Sequence, residues 1–330
     1  MKKLLISCPS LKAPHGGIRV IIEWAHRLFK WYEVSIYVLD GNTACDWMKI
    51  QNNIKLLKNP QLNTFDIVII TSPHAIFLED QINKNQKCFI FAQMLEHLFD
   101  PTNKIWFEKC KKFYRSKFPM FAISEWNIES IYRDFERNKN IFYIGNGVNL
   151  KDFPINFGFK DNKTILLEGW EPSNITKDTE YIGPRVCQLL KNNHGYKIIA
   201  YSSKNIQRFK DVPDEYYVNP DLKKINELYS RANILIKATK IDARSCSPVE
   251  AMTKGTPTAR AIMYGDDDLI HDYNCLKSYY DANQLYLNAL TLMQNQEKRE
   301  RMALHCINYV EAFTWDFWIG EIQKIISTYE

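Results

Sequence analysis

The chain has 330 residues, 45% hydrophobic and 25% charged, which is ordinary globular composition and more length than one compact core uses. These values exclude a disordered or fibrous chain, and no stretch approaches the roughly 20 apolar residues of a membrane span. Net charge is +5 but uneven: residues 1–155 carry 21 basic and 15 acidic side chains, the remainder 22 and 23, so an anionic partner is expected at the first half.

In chain order, Met1-Lys2-Lys3-Leu4-Leu5-Ile6 resembles the start of a secretory leader, but Cys8-Pro9-Ser10 ends the apolar run, so residues 3–7 are read as a first β-strand. Ile18, Ile21, Ile22, Ala25, Leu28 and Phe29 form the stripe of an amphipathic helix. Strand-like runs follow at 34–39, 66–72, 88–93, 120–124 and 141–144. A turn-rich segment from Gly145 to Asn156 suggests a hinge near 150–160. Strands then recur at 164–168, 197–201 and 234–236, with helices at 182–191, 223–230, 248–254, 283–294 and 297–312 and an aromatic-rich helical end at 313–329. Such alternation predicts an α/β protein of parallel sheets with helices on both faces, as two Rossmann-like domains. The 8 cysteines are scattered, with no C-x-x-C pair, which shows no zinc or redox motif and suits a reducing, cytoplasmic setting.

The most informative stretch is Asp242-Ala243-Arg244-Ser245-Cys246-Ser247-Pro248-Val249-Glu250-Ala251-Met252-Thr253-Lys254-Gly255-Thr256-Pro257. The strand Ile234-Leu235-Ile236 feeds this loop, and the loop feeds a helix start. Two carboxylates, Asp242 and Glu250, stand with seven residues between them where α/β domains bind ligands. A helix N-terminus there welcomes a phosphate. The acids fit beside it as acceptors for ribose and sugar hydroxyls. A plainer reading is a capping box, with Ser247 at N-cap, Pro248 at N1, Glu250 at N3 and Gly255 as the helix stop.

These pieces in this order resemble the retaining glycosyltransferases of the GT-B fold, specifically the large fourth family, over essentially the whole chain. The likeness runs through His15-Gly16-Gly17-Ile18-Arg19, Ser124-Glu125-Trp126, Gly145-Asn146-Gly147-Val148-Asn149, and Glu227-Leu228-Tyr229-Ser230-Arg231-Ala232-Asn233. It ends in Asp242 to Pro257, which is similar to the family's E-x7-E motif and trailing EAMxxGTP. The resemblance implies an acceptor-side domain over 1–155, a nucleotide-sugar domain over 156–312, and a helix at 313–330 that crosses back to the first domain. The parallel sheets would face an interdomain cleft.

It also implies roles. Glu250 would accept from the nucleotide ribose. Asp242, where the family has Glu, would contact a donor-sugar hydroxyl. Gly16 and Gly17 would let backbone amides approach the donor phosphates. Lys177 matches the family's phosphate-binding Lys; the partner Arg expected after residues 164–168 is missing, and Arg244 is either its substitute or a surface residue. In Phe91-Ala92-Gln93-Met94-Leu95-Glu96-His97, Gln93 and Glu96 match relatives with Gln followed by an acid. His97 competes with them, or is a structural polar residue. His15 is either part of the glycine loop's site or exposed.

No cofactor is expected beyond the donor, a UDP- or GDP-sugar, and no metal. Asp266-Asp267-Asp268 is read as a solvated acidic turn or helix start. The implied reaction is metal-independent and retains configuration, with a front-face route as the working mechanism.

The acceptor is left open among a glycan, a lipid-linked glycan and a modified base in DNA such as hydroxymethylcytosine. The basic, aromatic segment 106–118 is an ordinary helix with its lysines in water, a contact to anionic lipid at the membrane periphery, or a contact to nucleic-acid phosphates. A non-catalytic sugar-nucleotide-binding module is the alternative to an enzyme.

Overall fold

The computed structural model describes residues 1–12, 16–157, 160–169, 176–206 and 211–329; His15, singled out above, lies outside them. The chain divides into two compact units. The first comprises Met1–Asn146 with Trp315–Glu330, the second Gly147–Thr314. Residues 147–155, assigned to the first half from sequence, belong with the second unit, because Val148 and Phe153 bury themselves against Leu166, Tyr229 and Val249.

The first unit is built on strands β1 (Lys2–Cys8), β2 (Tyr32–Val38), β3 (Lys55–Leu57), β4 (Ile67–Ile70), β5 (Lys87–Ala92), β6 (Met120–Ala122) and β7 (Ile141–Tyr143). They form one parallel sheet in the order β3-β2-β1-β4-β5-β6-β7. The order reverses between β1 and β4, which makes their carboxyl ends a crevice where such sheets take ligands. Helices α1 (Gly16–Leu28), α2 (Lys104–Tyr114) and α3 (Glu125–Phe135) follow strands in the usual α/β alternation. The stripe Ile18, Ile21, Ile22, Ala25 and Leu28 on α1 is buried.

The second unit holds β8 (Thr164–Gly169), α4 (Ile182–His194), β9 (Lys197–Ser202), β10 (Glu215–Val218), α5 (Leu222–Arg231) and β11 (Ile234–Ala238). Then come β12 (Ile241–Asp242), α6 (Cys246–Met252), β13 (Thr258–Ala261), β14 (Tyr264–Gly265), β15 (Cys275–Ser278), α7 (Ala282–Gln294) and α8 (Gln296–Ala312). The main sheet is parallel, ordered β10-β9-β8-β11-β13-β15, and its order reverses between β8 and β11. Apolar clusters cover both faces, one with α4 and α7, the other with α5, α6 and α8. A two-stranded ribbon, β12 with β14, stands apart and pairs Asp242 with Gly265.

The last helix, α9 (Trp315–Thr328), is part of the first unit. It packs on α1, where Asp316 lies 3.2 Å from Lys30 and 3.6 Å from Arg27. Tyr329 places its ring edge-on to Phe89. No helix among the described residues is long and apolar enough to cross a membrane.

Candidate functional site

In the second unit, Asp242 closes the ribbon strand that follows β11. The main chain at Thr176 accepts from the Ile241 amide at 2.9 Å, which brings Lys177 beside Asp242. Lys177 Nζ lies 3.5 Å from Asp242 Oδ2. Lys237 Nζ lies 3.6 Å and Arg260 Nη2 3.9 Å from the same oxygen. Burial pushes the Asp242 carboxyl up, but Lys177, Lys237 and Arg260 outweigh it and hold the pKa well below the usual carboxylate range.

Lys237 and Glu168 were not singled out in the sequence. They occupy the penultimate positions of β11 and β8, one step beyond the last paired rung, Ile236 with Leu167. Lys237 Nζ is 2.8 Å from Glu168 Oε2 and donates to Ser247 Oγ at 2.9 Å, while the Ser247 hydroxyl donates to Glu168. The sequence shows only that each apolar run ends in a charge; that the two strands lie side by side at one level is set by the fold.

This geometry corrects the capping box. Helix α6 starts at Cys246 with Ser245 as its N-cap, so Ser247 is inside the helix and Glu250 is its fifth residue. Ser247 is drawn away from capping by the buried Glu168–Lys237 pair. The α6 N-terminus is also occupied: Asp266 accepts from Ser245 N at 2.7 Å and from Ser245 Oγ at 3.0 Å. A carboxylate thus meets the end where a phosphate was expected.

The Asp266-Asp267-Asp268 run is accordingly not a solvated turn. Asp266 and Asp268 are buried and each is matched by an arginine, Asp266 by Arg260 at 2.5 Å and Asp268 by Arg244. Burial pushes Asp268 up to about 6 despite Arg244. Arg244, read from the sequence as a substitute phosphate cation or a surface residue, turns inward to Asp268 and donates to Tyr309 Oη at 3.0 Å. An arginine on a loop beside two buried acids is pulled in by the cost of leaving them unpaired. Among the described residues no group of three or more His, Cys, Asp or Glu side chains is arranged to hold a metal.

Glu250 is buried on α6, and Tyr229 of α5 donates its hydroxyl to Glu250 Oε2 at 3.3 Å. Tyr229 Oη is in turn 3.0 Å from Tyr201 Oη. The acid is therefore held by a side chain of the Glu227–Asn233 fragment, which joins two of the sequence fragments in one place.

In the first unit, α1, the next element after β1, begins at Gly16. A Cβ on Gly16 would meet nothing within 4 Å, whereas one on Gly17 would lie 3.1 Å from Gln93 Oε1. Gly17 and Gln93 are thus brought together, and Gln93 Oε1 is buried with no hydrogen-bond partner among the described residues. Glu96 goes elsewhere. Its carboxylate accepts from the Tyr114 hydroxyl beneath α2, and burial pushes it up to about 7. His97 stands among Phe107, Tyr114 and Phe135, edge-on to each, with burial lowering its pKa.

The basic segment forms α2. Phe113 and Tyr114 enter the core, and Trp106 donates to the Glu96 carbonyl at 2.8 Å. Ile105 is 75% exposed, and with Ile76, Lys104, Glu108, Lys109 and Lys112 it lines an open groove of about 510 Å³.

Solved structures share this architecture. Sucrose-phosphate synthase (tll1590) from Thermosynechococcus elongatus matches with a TM-score of 0.82 at 11% identity, covering 99% of each chain. Anabaena HepE (Alr3699), in complex with UDP-glucose, matches with a TM-score of 0.75 at 12% identity over 99% of this chain and 100% of its own. WaaG, a glycosyltransferase involved in lipopolysaccharide biosynthesis, gives 0.71 at 10% identity over 98% and 99%. No family model matches the sequence, and no curated protein matches it. The two parallel-sheet units are those of the GT-B glycosyltransferase fold.

Proposed function

We propose that the protein is a retaining glycosyltransferase of the E-x7-E type that moves a sugar from a nucleotide-diphosphate donor to a hydroxyl of a glycan or lipid-linked glycan. The reading rests on the contact of Lys177 with Asp242 at 3.5 Å, at the carboxyl edge of the second sheet, with Glu250 on the helix that follows. A cation for a diphosphate and two acids for ring hydroxyls are the groups such a donor requires. Structural neighbours crystallised with UDP and with UDP-glucose support a UDP-sugar as the first donor to try.

In this reading Glu250 accepts from the ribose and Asp242 from a sugar hydroxyl. Lys177 meets charge on the diphosphate, so no metal is needed for that task. Gln93, with an unmatched buried acceptor, takes a donor-sugar hydroxyl; Glu96 and His97 shape the ground beneath it. Asp242 is too tightly held by cations to serve as a nucleophile, which favours a front-face route. The bond from the anomeric carbon to the diphosphate breaks and the bond to the acceptor oxygen forms on the same face. The acceptor proton passes to the leaving phosphate oxygen.

The apolar groove on α2, with exposed Ile105 and with Lys104 and Lys109 at its edge, suits an anionic lipid surface, which would bring a cytoplasmic enzyme to a lipid-linked acceptor. WaaG's part in lipopolysaccharide biosynthesis is in keeping with such an acceptor.

A thermal-shift screen with UDP-, GDP- and ADP-sugars tests the donor, because a ligand of the native state raises the melting point. A UDP- or GDP-sugar that raises it and slowly releases nucleotide diphosphate is the expected result. No shift with any of them contradicts the reading. Salt-sensitive sedimentation with anionic liposomes, and none with duplex DNA, is expected for the acceptor side.

A further inference from the structure

Two side chains of α2 grip the turn that follows Gln93. Tyr114 Oη accepts from the Glu96 amide at 2.8 Å, reaches the Met94 carbonyl at 3.0 Å and meets the Glu96 carboxyl. Trp106 donates its indole N–H to the Glu96 carbonyl at 2.8 Å. Met94 is the residue after Gln93, so Tyr114 fixes the backbone on which the Gln93 side chain stands beside Gly17.

A phenol has one proton and two lone pairs, and that count decides how the three contacts are shared. When Glu96 is ionised its carboxylate only accepts, so the Tyr114 proton goes to it and the Met94 carbonyl loses its donor. When Glu96 is protonated its own O–H donates to Tyr114 Oη, the Glu96 N–H takes the second lone pair, and the Tyr114 proton is left for Met94. Only the protonated acid completes all three bonds. Its surroundings favour that form. Tyr114 and Cys110 act on Glu96 from α2, and His97 stands on the same turn, edge-on to Tyr114. Burial raises the first two and lowers His97, so all three are neutral near pH 7. Asp134 of α3 acts on His97, while Lys104, Lys109 and Lys112 stand at the outer groove of α2. Burial is therefore the dominant influence, and it raises Glu96 to about 7.

We propose that Tyr114 and protonated Glu96 are positioning residues that latch the turn behind Gln93, and that ionisation of Glu96 opens the latch. The proposal deepens the donor-sugar contact given to Gln93 above and rests on that reading. The acid three residues after Gln93 acts through the phenol instead of on the sugar. Loss of the bond from Tyr114 to Met94 loosens the backbone next to Gln93, and the buried Gln93 Oε1 loses its fixed direction. Sugar transfer, which needs Gln93 in place, falls as Glu96 ionises.

The ligand-free protein is titrated first, by ¹³C NMR of the Glu96 carboxyl carbon, assigned by its loss in Glu96→Gln, and of the Met94 carbonyl carbon. Both are expected to move together with a midpoint at about 7. The Met94 signal is expected to stay fixed across that range in Glu96→Gln, whose amide still donates to the phenol. A carboxyl that titrates in the ordinary glutamate range, at about 4 to 5, overturns the proposal, as does a Met94 carbonyl that does not follow it. Turnover is then read as release of nucleotide diphosphate from UDP-glucose and GDP-glucose. Wild-type kcat is expected to fall by up to about 10-fold between about pH 6 and about pH 8, the change in protonated fraction of such a group, with KM little altered. Glu96→Gln is expected to flatten that fall. Tyr114→Phe is expected to lower kcat by about 5-fold or more at the acid end and to lose the pH dependence. A fall that persists in Glu96→Gln overturns the proposal. So does a Tyr114→Phe protein with a lower melting point but the wild-type pH profile, which is what a merely structural tyrosine would give. Should Tyr114→Phe not fold, wild type and Glu96→Gln decide alone. Wild type that releases nucleotide from neither donor contradicts the donor reading, while the NMR titration still judges the latch.

Discussion

A Cβ at Gly265 would lie 1.9 Å from the carbonyl oxygen of Asp242, and Gly265 has φ +98°, where side chains are rarely tolerated. The ribbon of β12 and β14 closes only because this residue has no side chain, and the ribbon sets where Asp242 stands. Gly265→Ala is expected to destabilise the protein by about 3 kcal/mol and to lower transferase turnover. Chemical denaturation alongside a donor-turnover assay checks both. Wild-type stability would show that the ribbon yields without cost.

The two glycines that open α1 are expected to part ways. A Cβ on Gly16 meets nothing within 4 Å among the described residues, so Gly16→Ala should change stability by no more than about 0.5 kcal/mol. It should nevertheless weaken donor binding if the Gly16 amide approaches phosphate. Gly17→Ala should push Gln93 aside and lower turnover more than affinity. Melting curves and donor titrations of the two variants separate these effects.

Tyr229 holds Glu250 through one hydrogen bond of 3.3 Å. Tyr229→Phe is expected to weaken nucleotide binding by about 5-fold, close to 1 kcal/mol, with little change in kcat. Calorimetry against the preferred nucleotide reads the loss. Equal affinity in Tyr229→Phe and wild type would mean that the Tyr229 bond does not set Glu250 for the nucleotide.

Burial raises Glu96 from 4.5 to about 7, and the Tyr114 hydrogen bond only partly opposes it. The folded chain therefore binds this proton more tightly than the unfolded one. That contribution to stability is fully present below the unfolded value and is lost as pH rises through the folded value. Relative to Glu96→Gln, wild type should lose stability between about pH 4.5 and about pH 7 and level off above. Urea midpoints across that window check the slope; parallel curves would remove the assignment.

Much of the fold was legible because apolar runs and amphipathic stripes mark the strands and helices that carry the core. β13 and β15 were missed because Arg260 and Lys277 interrupt them, and a buried arginine reads as surface in a sequence. The order of motifs singled out the loop of Asp242 and the helix of Glu250, and the structure sets Lys177 beside Asp242. The partners of these residues were not legible. Asp266 taking the α6 N-terminus, Arg244 turning to Asp268, and Lys237 meeting Glu168 depend on which side chains converge from distant segments. Local patterns such as Ser247-Pro248-Val249-Glu250 gave a capping box because they are blind to that convergence. In the first unit, Gln93 and Glu96 share a local pattern but face different partners, Gly17 and Tyr114.

The most direct test is calorimetric binding and steady-state turnover of UDP- and GDP-sugars with wild type, Glu250→Gln and Asp242→Asn. Wild type should bind one of these donors. Glu250→Gln should weaken that binding by about 10-fold, in line with loss of a charged hydrogen bond. Asp242→Asn should mainly lower kcat. Donor binding and turnover that neither substitution alters would place the sugar nucleotide elsewhere on the protein and contradict the account.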